Sequence, residues 1–405
     1  MTGRTWPTGR LGNYCIKIGS GSTPRGGESV YQESGVSLIR SQNVYNGFFA
    51  MGGLAYIGEA HADQLKGVTV QSGDVLLNIT GDSVARSCRV PEEVLPARVN
   101  QHVAIVRSRS EVLDNRFLGY FFISPFMQKT MLSLAGSGGT RKALTKEMIE
   151  QFEVPLPPLP VQCRIADTLS TYDNLIENNH RRITLLEEAA RQLYHEWFVR
   201  LRYPGYEHIE ITGGIPEGWE KQSLGDLCEE IRESVNPNTL EPDTPYIGLE
   251  HMPRRSITLG EWETVERVES SKHRFQEGDI LFGKIRPYFH KVGVAFVDGV
   301  ASSDTIVIRP IEESLHSLVL MTTSSDPFVA MTAQTMREGS KMPRADWKHM
   351  QQYLTPLPPA GLLNNFNDTI QAIVGQLKIL TTTNRKLRAA RDLLLPRLMS
   401  GEINV

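Results

Sequence analysis

Two short motifs in the sequence look like nucleotide- or metal-binding sites, and both are incomplete. Residues 278–285 follow most of the spacing of a phosphate-binding loop, but Ile285 stands where a serine or threonine would hold magnesium. The corresponding stretch near the amino terminus, residues 73–79, has no Gly-Lys pair. A segment starting at His195 begins like the helix of a zinc protease, yet Val199 occupies the position of the second histidine ligand. The motifs therefore predict neither nucleotide binding nor zinc binding.

A methyltransferase motif is incomplete as well. Such an enzyme needs a glycine-rich cofactor loop and a tetrapeptide of Asn or Asp, two prolines and an aromatic residue, and the chain offers only Asn236-Pro237-Asn238. The four cysteines are widely spaced and form no C-x-x-C pair, which argues against a zinc or disulfide framework. We find no complete catalytic set and expect no cofactor. The sequence favours a recognition or assembly protein.

The elements that would position functional residues occur twice, about two hundred residues apart. A repeat this long indicates a duplicated domain, because a solenoid unit has a period of roughly 20 to 50 residues. The chain is therefore predicted to contain two modules, each a globular part followed by a helix. Four pairs of segments correspond in the same order: residues 73–76 and 278–281, 103–107 and 305–309, 124–126 and 326–328, and 154–158 and 355–359.

A long helix with one apolar seam is predicted after each proline-rich segment, from about residue 163 and from about residue 364. Each seam contains one asparagine, Asn179 or Asn384, and Arg391 interrupts the second seam. A seam asparagine can fix register and pairing. Alternatively, each asparagine lies at the edge of a helix that packs on its own domain. We favour antiparallel pairing of the two helices through Ile165, Leu169, Tyr172, Ile176, Asn179, Ile183, Leu186, Ile370, Ile373, Leu377, Leu380, Asn384 and Leu387.

The predicted fold class is α+β, since short alternating runs and helical segments are interspersed in both globular parts. The prolines, which do not continue a helix or a central strand, separate each globular part from its helix. Predicted strands cover residues 74–79, 103–107, 280–285 and 305–309, and predicted helices, interrupted at a Ser/Asp-Pro-Phe triplet, cover residues 115–134 and 315–333. The predicted segments are a first globular domain at 1–158, a central spacer helix at 159–205, a second globular domain at 206–359 and a C-terminal spacer helix at 360–405.

The charge is distributed unevenly, although the net charge is only -3. Residues 1–150 carry 16 Lys and Arg against 12 Asp and Glu, whereas residues 217–350 carry 15 against 22. If both parts bind nucleic acid, the second must cluster its basic groups on one face or use positive charge from a partner. No stretch approaches the roughly 18 apolar residues of a membrane span. We therefore expect a cytoplasmic protein that does not associate with a membrane.

Several of these segments resemble the conserved regions of type I restriction-modification specificity subunits. The residues that carry the resemblance are 136–145, 154–162, 165–166, 178–187 and 384–402. Members usually have a Glu-Gln pair after the prolines, where this chain has Val161-Gln162 and Ala360-Gly361. The start of the second helix therefore departs further from the family pattern than that of the first.

The resemblance implies two target-recognition domains, each reading one half of a split site in double-stranded DNA. It implies that the two helices form a coiled-coil spacer, hold the domains in a pseudo-two-fold arrangement and dock two adenine methyltransferase subunits. Restriction and translocase subunits are further expected partners. On this pattern S-adenosylmethionine and ATP belong to the partners, so that this chain is not itself an enzyme.

The residues that contact DNA are predicted from their types, because Arg and Lys pair well with guanine, and Asn and Gln with adenine. Phosphate contacts fix the position of a protein without reading sequence. For any one of these residues, the alternative is a solvated surface charge or a turn residue. The candidates are Arg40, Gln42, Asn43, Asn100, Gln101, Arg141 and Lys142 in the first domain, and Lys284, Arg286, Tyr288, Ser303, Lys341 and Arg344 in the second.

Two other functions remain open from the sequence. The chain could be a scaffold that binds protein partners through its paired helices, or a nuclease with an unrecognised active site. Cleavage or methylation by the isolated chain would favour the enzyme. Failure to bind any duplex, even with a methyltransferase subunit present, would favour the scaffold.

Overall fold

The computed structural model describes residues 6–136, 142–267, 270–334 and 343–403. Its contacts divide the chain into two compact units. The first unit consists of Met1–Leu175 and Leu387–Val405, and the second of Ile176–Lys386. Each unit therefore combines one globular part with a stretch of each long helix. In the part of the chain that is described, no helix has the length and apolar character needed to cross a membrane.

The globular part of the first unit is built on two sheets. In its antiparallel four-stranded sheet the order is Ser87–Arg89, Val75–Asn78, Val103–Ser108 and Cys15–Ser20. The mixed five-stranded sheet has the order Tyr31–Gln32, Ala55–Ile57, Val36–Ile39, Ala97–Val99 and Thr69–Val70. Shorter pairs join Thr8–Arg10 to Glu153–Pro155 and Val44–Tyr45 to Phe48–Phe49.

The second unit repeats this arrangement. One five-stranded sheet has the order Cys228–Ile231, Thr305–Pro310, Ile280–Gly283, Val292–Ala295 and Thr258–Leu259. The other has the order Ser234–Val235, Lys272–Phe275, Gly299–Ala301, Pro245–Ile247 and Glu263–Thr264. Shorter pairs join Glu220–Ser223 to Leu354–Leu357 and Ile211–Thr212 to Ile215–Pro216.

The duplication predicted from the sequence is visible in strand order, and so are its local differences. In both units one parallel pair stands among antiparallel neighbours: Val36–Ile39 beside Ala97–Val99, and Pro245–Ile247 beside Gly299–Ala301. The second unit adds the parallel edge strand Thr258–Leu259. The two globular parts are therefore versions of one α+β fold with different edges, and the predicted fold class is confirmed.

The α-helices surround these sheets and form the two long segments. The long helices are the central helix, Leu159–Tyr194 with a π-turn at His195–Val199, and the C-terminal helix, Ala360–Ser400. Short helices of the first unit are Glu59–Gln64, Asn115–Ile123, Pro125–Gly136 and Lys146–Glu150, and those of the second are Leu224–Leu227, His316–Thr323, Asp326–Gln334 and Trp347–Met350.

Both long helices begin earlier than the predicted starts near residues 163 and 364. Pro160 lies in the first turn of the central helix. The first turn tolerates proline because its backbone N–H would have no intrahelical acceptor. The interruption predicted within each shorter helical pair is confirmed, since one helix ends before Ser124 and the next begins at Pro125.

The long helices run antiparallel within each unit. In the first unit, Arg391 Nη1 donates to Asp173 Oδ1 at 2.6 Å, and in the second the rings of Trp197 and Phe366 lie 5.6 Å apart. In each contacting pair, one residue number rises as the other falls, so the two numbers have nearly the same sum, as antiparallel helices require. The apolar seam of the central helix joins the core of the first unit at Leu169.

The core of each globular part contains an Arg–Asp ion pair at equivalent positions of the repeat. Arg107 donates from Nε and Nη2 to Asp74 at 2.6 and 2.8 Å, and Arg309 donates to Asp279 at 2.7 Å from both nitrogens. Both aspartates are buried. The hydrogen bonds that the Arg309 guanidinium donates to Asp279 raise the pKa of Arg309. The two aspartates lie in the corresponding segments 73–76 and 278–281, and the two arginines lie in the corresponding segments 103–107 and 305–309.

Candidate nucleic-acid interface

A loop after one sheet strand of the first unit lies beside several of the predicted residues. This loop, residues 79–86, leaves the strand Val75–Asn78 and returns in Ser87–Arg89. The N–H of Ile79 donates to the backbone carbonyl of His102 at 2.9 Å, and the N–H of Gly81 donates to the backbone carbonyl of Lys142 at 3.0 Å. These bonds hold the loop beside the turn at residues 100–102 and the segment that follows residue 141.

The equivalent loop of the second unit, residues 284–291, is held by the same bonds. The N–H of Lys284 donates to the backbone carbonyl of Asp304 at 2.7 Å, and the N–H of Arg286 donates to the backbone carbonyl of Pro343 at 2.9 Å. Lys284 therefore corresponds to Ile79, and Asp304 corresponds to His102. We call residues 79–86 and 284–291 the paired loops.

Two further turns complete this framework in each unit. The amide Oδ1 of Asn43 accepts from Arg40 N–H at 3.0 Å, and Nδ1 of His251 accepts from Gly248 N–H at the same distance. Residues 40–43 thus correspond to residues 248–251. Likewise Asn100 Oδ1 accepts from His102 N–H at 3.0 Å, as Ser302 Oγ accepts from Asp304 N–H at 3.3 Å. One backbone arrangement carries different side chains in the two units.

Two predicted base-contacting residues are structural parts of these turns, which corrects the prediction for them. Asn43 is 0% exposed, and its amide donates to the carbonyls of Ala50 and Gly52. Asn100 is buried at the bend that its own side chain caps. Residue type alone indicated base-pairing amides, but both amides are used to fix the backbone.

The other described candidates of the first unit face solvent to different extents. Gln42 is exposed and donates to the carbonyl of Gly53 at 3.1 Å. Arg40 is partly buried, donates to the same carbonyl at 2.7 Å and lies over the ring of Tyr31. Lys142 is exposed. A base or phosphate can therefore reach Gln42 and Lys142 more readily than Arg40.

Gln101 belongs to a polar network on the same surface. Its Nε2 donates to Nε2 of His102 at 3.0 Å, and the other ring nitrogen of His102 lies 2.5 Å from Oγ1 of Thr80. Because Nε2 accepts, we assign the proton of His102 to Nδ1. Thr23 donates to Oε1 of Gln101. His102 and Thr80, which sequence reasoning did not select, are thus neighbours of a predicted residue.

In the second unit two of the predicted cations, Lys284 and Arg344, face carboxylates. Lys284 Nζ lies 3.9 Å from Glu230 and donates to the carbonyl of Ser303 at 3.3 Å. Burial lowers the pKa of Lys284. Arg344 pairs with Asp304 at 3.1 Å. The acidic balance seen in the sequence therefore appears at the candidate interface itself.

The remaining described candidates of the second unit are exposed. Arg286 has a left-handed backbone with φ of +49° and leads into a short turn that presents Tyr288. Ser303 is exposed on the turn next to Asp304. The loop around Lys284 continues as a turn, and no long helix follows the strand as a phosphate-binding loop requires. Arg141 and Lys341 lie outside the described residues.

An aromatic assembly on the first unit was missed by sequence reasoning. The rings of Tyr45 and Phe48 stack at 4.8 Å with an angle of 12°, and the guanidinium of Arg86 lies 4.7 Å from the centroid of Tyr45. Arg86 belongs to the paired loop, and Tyr45 follows the Arg40–Asn43 turn. The only signal in the sequence was the Asn46-Gly47 hairpin turn between the two aromatic residues.

The predicted helix-pairing residues are all buried or half-buried in the units that contain them. In the second unit Asn179 Nδ2 donates to Asn384 Oδ1 at 2.8 Å, and Asn384 donates to the carbonyl of Ile176 at 3.3 Å. In the first unit the seam residue Arg391 pairs with Asp173, which also accepts from the hydroxyl of Tyr120. The polar side chains Asn179, Asn384 and Arg391 in the seam thus each have a hydrogen-bonding partner on the opposite long helix.

The site has the groups of a binding surface. Its exposed members are amides, guanidiniums, an ammonium and aromatic rings, which suit base edges, phosphates and base faces. Within the described ranges, no cluster of three or more His, Cys, Asp or Glu is arranged to hold a metal ion.

Comparison with known proteins finds similar sequences and a similar fold. Residues 5–188 match the family described as type I restriction modification DNA specificity domain. The type I restriction enzyme MjaIX specificity subunit of Methanocaldococcus jannaschii is 22% identical over 333 residues, which are 76% of this chain and 74% of that protein. The EcoDI specificity subunit of Escherichia coli is 23% identical over 249 residues, 55% of each chain.

A solved structure shares the fold. The crystal structure of a type I restriction-modification system S subunit from M. genitalium has a TM-score of 0.60 at 13% identity, and the match covers 98% of this chain and 96% of that one. Sequence family, curated relatives and fold therefore coincide. The chain is thus similar to type I restriction-modification specificity subunits, in sequence to the family model over residues 5–188 and in fold over nearly its whole length.

Proposed function

We propose that each globular part reads one half of a split, asymmetric DNA site and that the long helices dock adenine methyltransferase subunits. In this proposal the chain chooses the sequence, and its partners supply the chemistry with their own S-adenosylmethionine and ATP. The partners are two methyltransferase subunits and, in the restriction complex, restriction and translocase subunits. The cytoplasmic location stays a prediction.

The observation that carries the proposal is the common framework with unlike side chains. The turn that presents Gln101 and His102 in the first unit presents Ser303 and Asp304 in the second, on equivalent hydrogen bonds. A constant backbone places each domain against DNA in one pose, whereas the side chains decide which base edges are accepted. Because the side chains differ between the two domains, the two half-sites should differ in sequence.

The chemistry of the two surfaces indicates how the half-sites differ. Amides such as Gln42 and Gln101 suit adenine, whereas guanidiniums such as Arg286 suit guanine, and a carboxylate such as Asp304 accepts from the amino group of cytosine. The second surface therefore favours a half-site that contains G·C pairs. Its ion pair between Arg344 and Asp304 would open when the guanidinium turns to the DNA.

The methyltransferase subunits are proposed to bind the outer faces of the long helices. The Asn179–Asn384 hydrogen bond supports a fixed helix register, and a fixed register gives two docked enzymes defined positions. Leu185 and Ile379 are exposed on the two helices within the second unit. Exposed apolar residues of this kind mark a protein-binding surface when they are grouped.

Methylome sequencing tests the proposal. The chain is co-expressed with the methyltransferase encoded beside it, in a host that lacks DNA methylation. We expect one split, asymmetric motif with a methylated adenine in each half. Absence of new methylation, with a soluble complex of both proteins recovered, would overturn DNA recognition and favour the scaffold. Cleavage or methylation by the chain alone would favour an enzyme.

A further inference from the structure

The exposed ring of Phe48 is a feature of the first unit's surface that polar base reading does not use. Phe48 is 57% exposed, although phenylalanine is among the residues that are most often fully buried. It is not loosely placed, because its ring stacks on Tyr45, and Tyr45 in turn lies under the guanidinium of Arg86. We call these three residues the aromatic stack.

The hairpin that carries the aromatic stack is firmly anchored. Tyr45 and Phe48 are directly opposed in the strand pair, and Gly47 between them has φ of +80°, a conformation that favours glycine. The N–H of Gly47 donates to the carbonyl of Ser87 at 2.9 Å, and Asn46 Oδ1 accepts from Ser87 N–H at 3.1 Å. The hairpin is thus fixed to the strand that follows the paired loop.

The position of the stack links it to the proposed DNA surface. Arg86 is the last residue of the paired loop whose Thr80 contacts His102. On the other side, Asn78 Nδ2 donates to the carbonyls of Ser41 and Val44. Phe48 therefore projects from the same continuous set of loops that carries Gln42 and Gln101.

We propose that Phe48 enters a base step in the half-site read by the first unit, with its ring against the face of a nucleobase. This inference rests on the proposed function. An apolar side chain of this kind can partly unstack neighbouring bases, and stacking on an aromatic ring suits any base because every base has a π-face. Arg86 places positive charge beside the ring, where the sugar-phosphate backbone passes. Because the hairpin is already ordered, little conformational entropy is lost on binding.

The second unit has a counterpart built from different residues. Tyr288 is 53% exposed, and its ring meets Phe289 edge-on at 5.0 Å. The guanidinium of Arg254 lies 4.0 Å from the centroid of Phe289. An exposed aromatic ring backed by a second ring and an arginine thus accompanies both paired loops, and Tyr288 is assigned the same role in the other half-site.

The experiment uses the complex of the full chain with its methyltransferase. The probe is a duplex carrying the motif found by methylome sequencing, with 2-aminopurine at one position of the site at a time. This base brightens when it loses stacking. Phe48→Ala removes the ring, Phe48→Trp retains an aromatic ring, and Phe126→Ala is the matched control. Phe126 is 71% exposed in the same unit, and no ring contact involves it among the described residues.

We expect wild type, Phe48→Trp and Phe126→Ala to brighten one position in the half-site read by the first unit. Phe48→Ala should abolish that signal and leave the Tyr288-dependent position of the other half-site bright. Phe48→Ala should also weaken binding roughly 5- to 100-fold, the range for loss of one base–aromatic stack. Its melting temperature should stay that of wild type, because the ring is largely exposed. A bright position that depends on neither Phe48 nor Tyr288 belongs to the methyltransferase.

Three results would overturn the inference. Phe48→Ala could bind and methylate like wild type, which leaves the ring without a role but DNA recognition intact. Phe48→Ala could instead lose the methyltransferase from the complex on purification, which would make the ring a protein contact. If the wild-type complex methylates no motif, the proposed function fails first, and this inference fails with it.

Discussion

Asn179 and Asn384 face each other inside the second unit, where Nδ2 of the first donates to Oδ1 of the second at 2.8 Å. The two residues are 7% and 2% exposed. A buried amide without its partner costs about 1 to 3 kcal/mol, whereas two leucines would pack as an ordinary apolar pair. The hydrogen bond therefore selects one alignment of the two helices at some cost in stability.

Replacing one asparagine should destabilise the chain more than replacing both. We expect Asn179→Leu and Asn384→Leu each to lower the free energy of unfolding by about 1 to 3 kcal/mol, and the double variant to recover most of it. A double-mutant cycle measured by urea denaturation checks this. If the two losses simply add, the amides are not coupled and the register is fixed elsewhere.

The internal ion pairs should be essential to the unit that contains them. Arg107→Met leaves Asp74 buried without its partner, which costs about 3 to 5 kcal/mol for such pairs. Hydrogen exchange should rise throughout the first unit and much less in the second, and Arg309→Met should do the reverse. Arg181→Met is the control, because its pair with Glu177 is exposed and such pairs contribute about 0 to 1 kcal/mol. Equal exchange in both units after either main substitution would contradict two separate cores.

Acid should destabilise the second unit selectively. His316 donates from Nε2 to the carbonyl of Gly278 and accepts from Gln371 at Nδ1, both at 2.7 Å, so its neutral form is the one bound. Burial lowers the pKa of His316, and likewise those of His273 and His290, below the ordinary value of 6.5. The unfolded chain therefore takes up protons first as pH falls through 6.5, and stability present above that pH is lost below it.

Hydrogen exchange between pH 7.5 and 5.5, corrected for intrinsic rates, measures this loss. Protection of the strands around Gly278 should fall with pH, and His316→Gln should flatten the profile. His208→Gln is the control, since His208 is exposed in the same unit. A wild-type profile that is flat over this range would show that the buried histidines do not control stability.

The long helices should set the unread gap of the DNA site. Seven residues inserted after Leu175 and seven after Lys386 keep every contact within each unit, because the insertions fall at the unit boundary. Seven helical residues add about 10 Å and return the helix to nearly the same face. Methylome sequencing should then show both half-sites unchanged and a gap longer by up to about three base pairs. Insertion in one helix alone should abolish methylation, since it misaligns the seam.

Periodic features of the fold could be predicted from the sequence. The seam at Leu169 and Leu377, the paired Gly-Asp segments and the breaks before Pro125 and Pro327 are local patterns, and they appear in the structure. The extra strand Thr258–Leu259 could not be predicted, because two residues carry no periodic signal and its pairing is non-local.

The candidate site was only partly predictable for a related reason. Asn43 and Asn100 have the residue type of base-reading amides, but burial and hydrogen bonding depend on which strands meet around them. Conversely, His102 becomes a candidate only when the fold brings it to Thr80 and Gln101. Phe48 was missed because exposure of an aromatic residue is a property of the tertiary structure.

The central claim is that the two globular parts read DNA independently, and a domain exchange tests it most directly. Residues 1–158 are replaced by the first domain of another family member with a different motif, and methylation by the chimaera with the same methyltransferase is mapped by sequencing. The account predicts that one half-site changes to that of the donor, while the other half-site and the gap are retained. A change in both half-sites would contradict it.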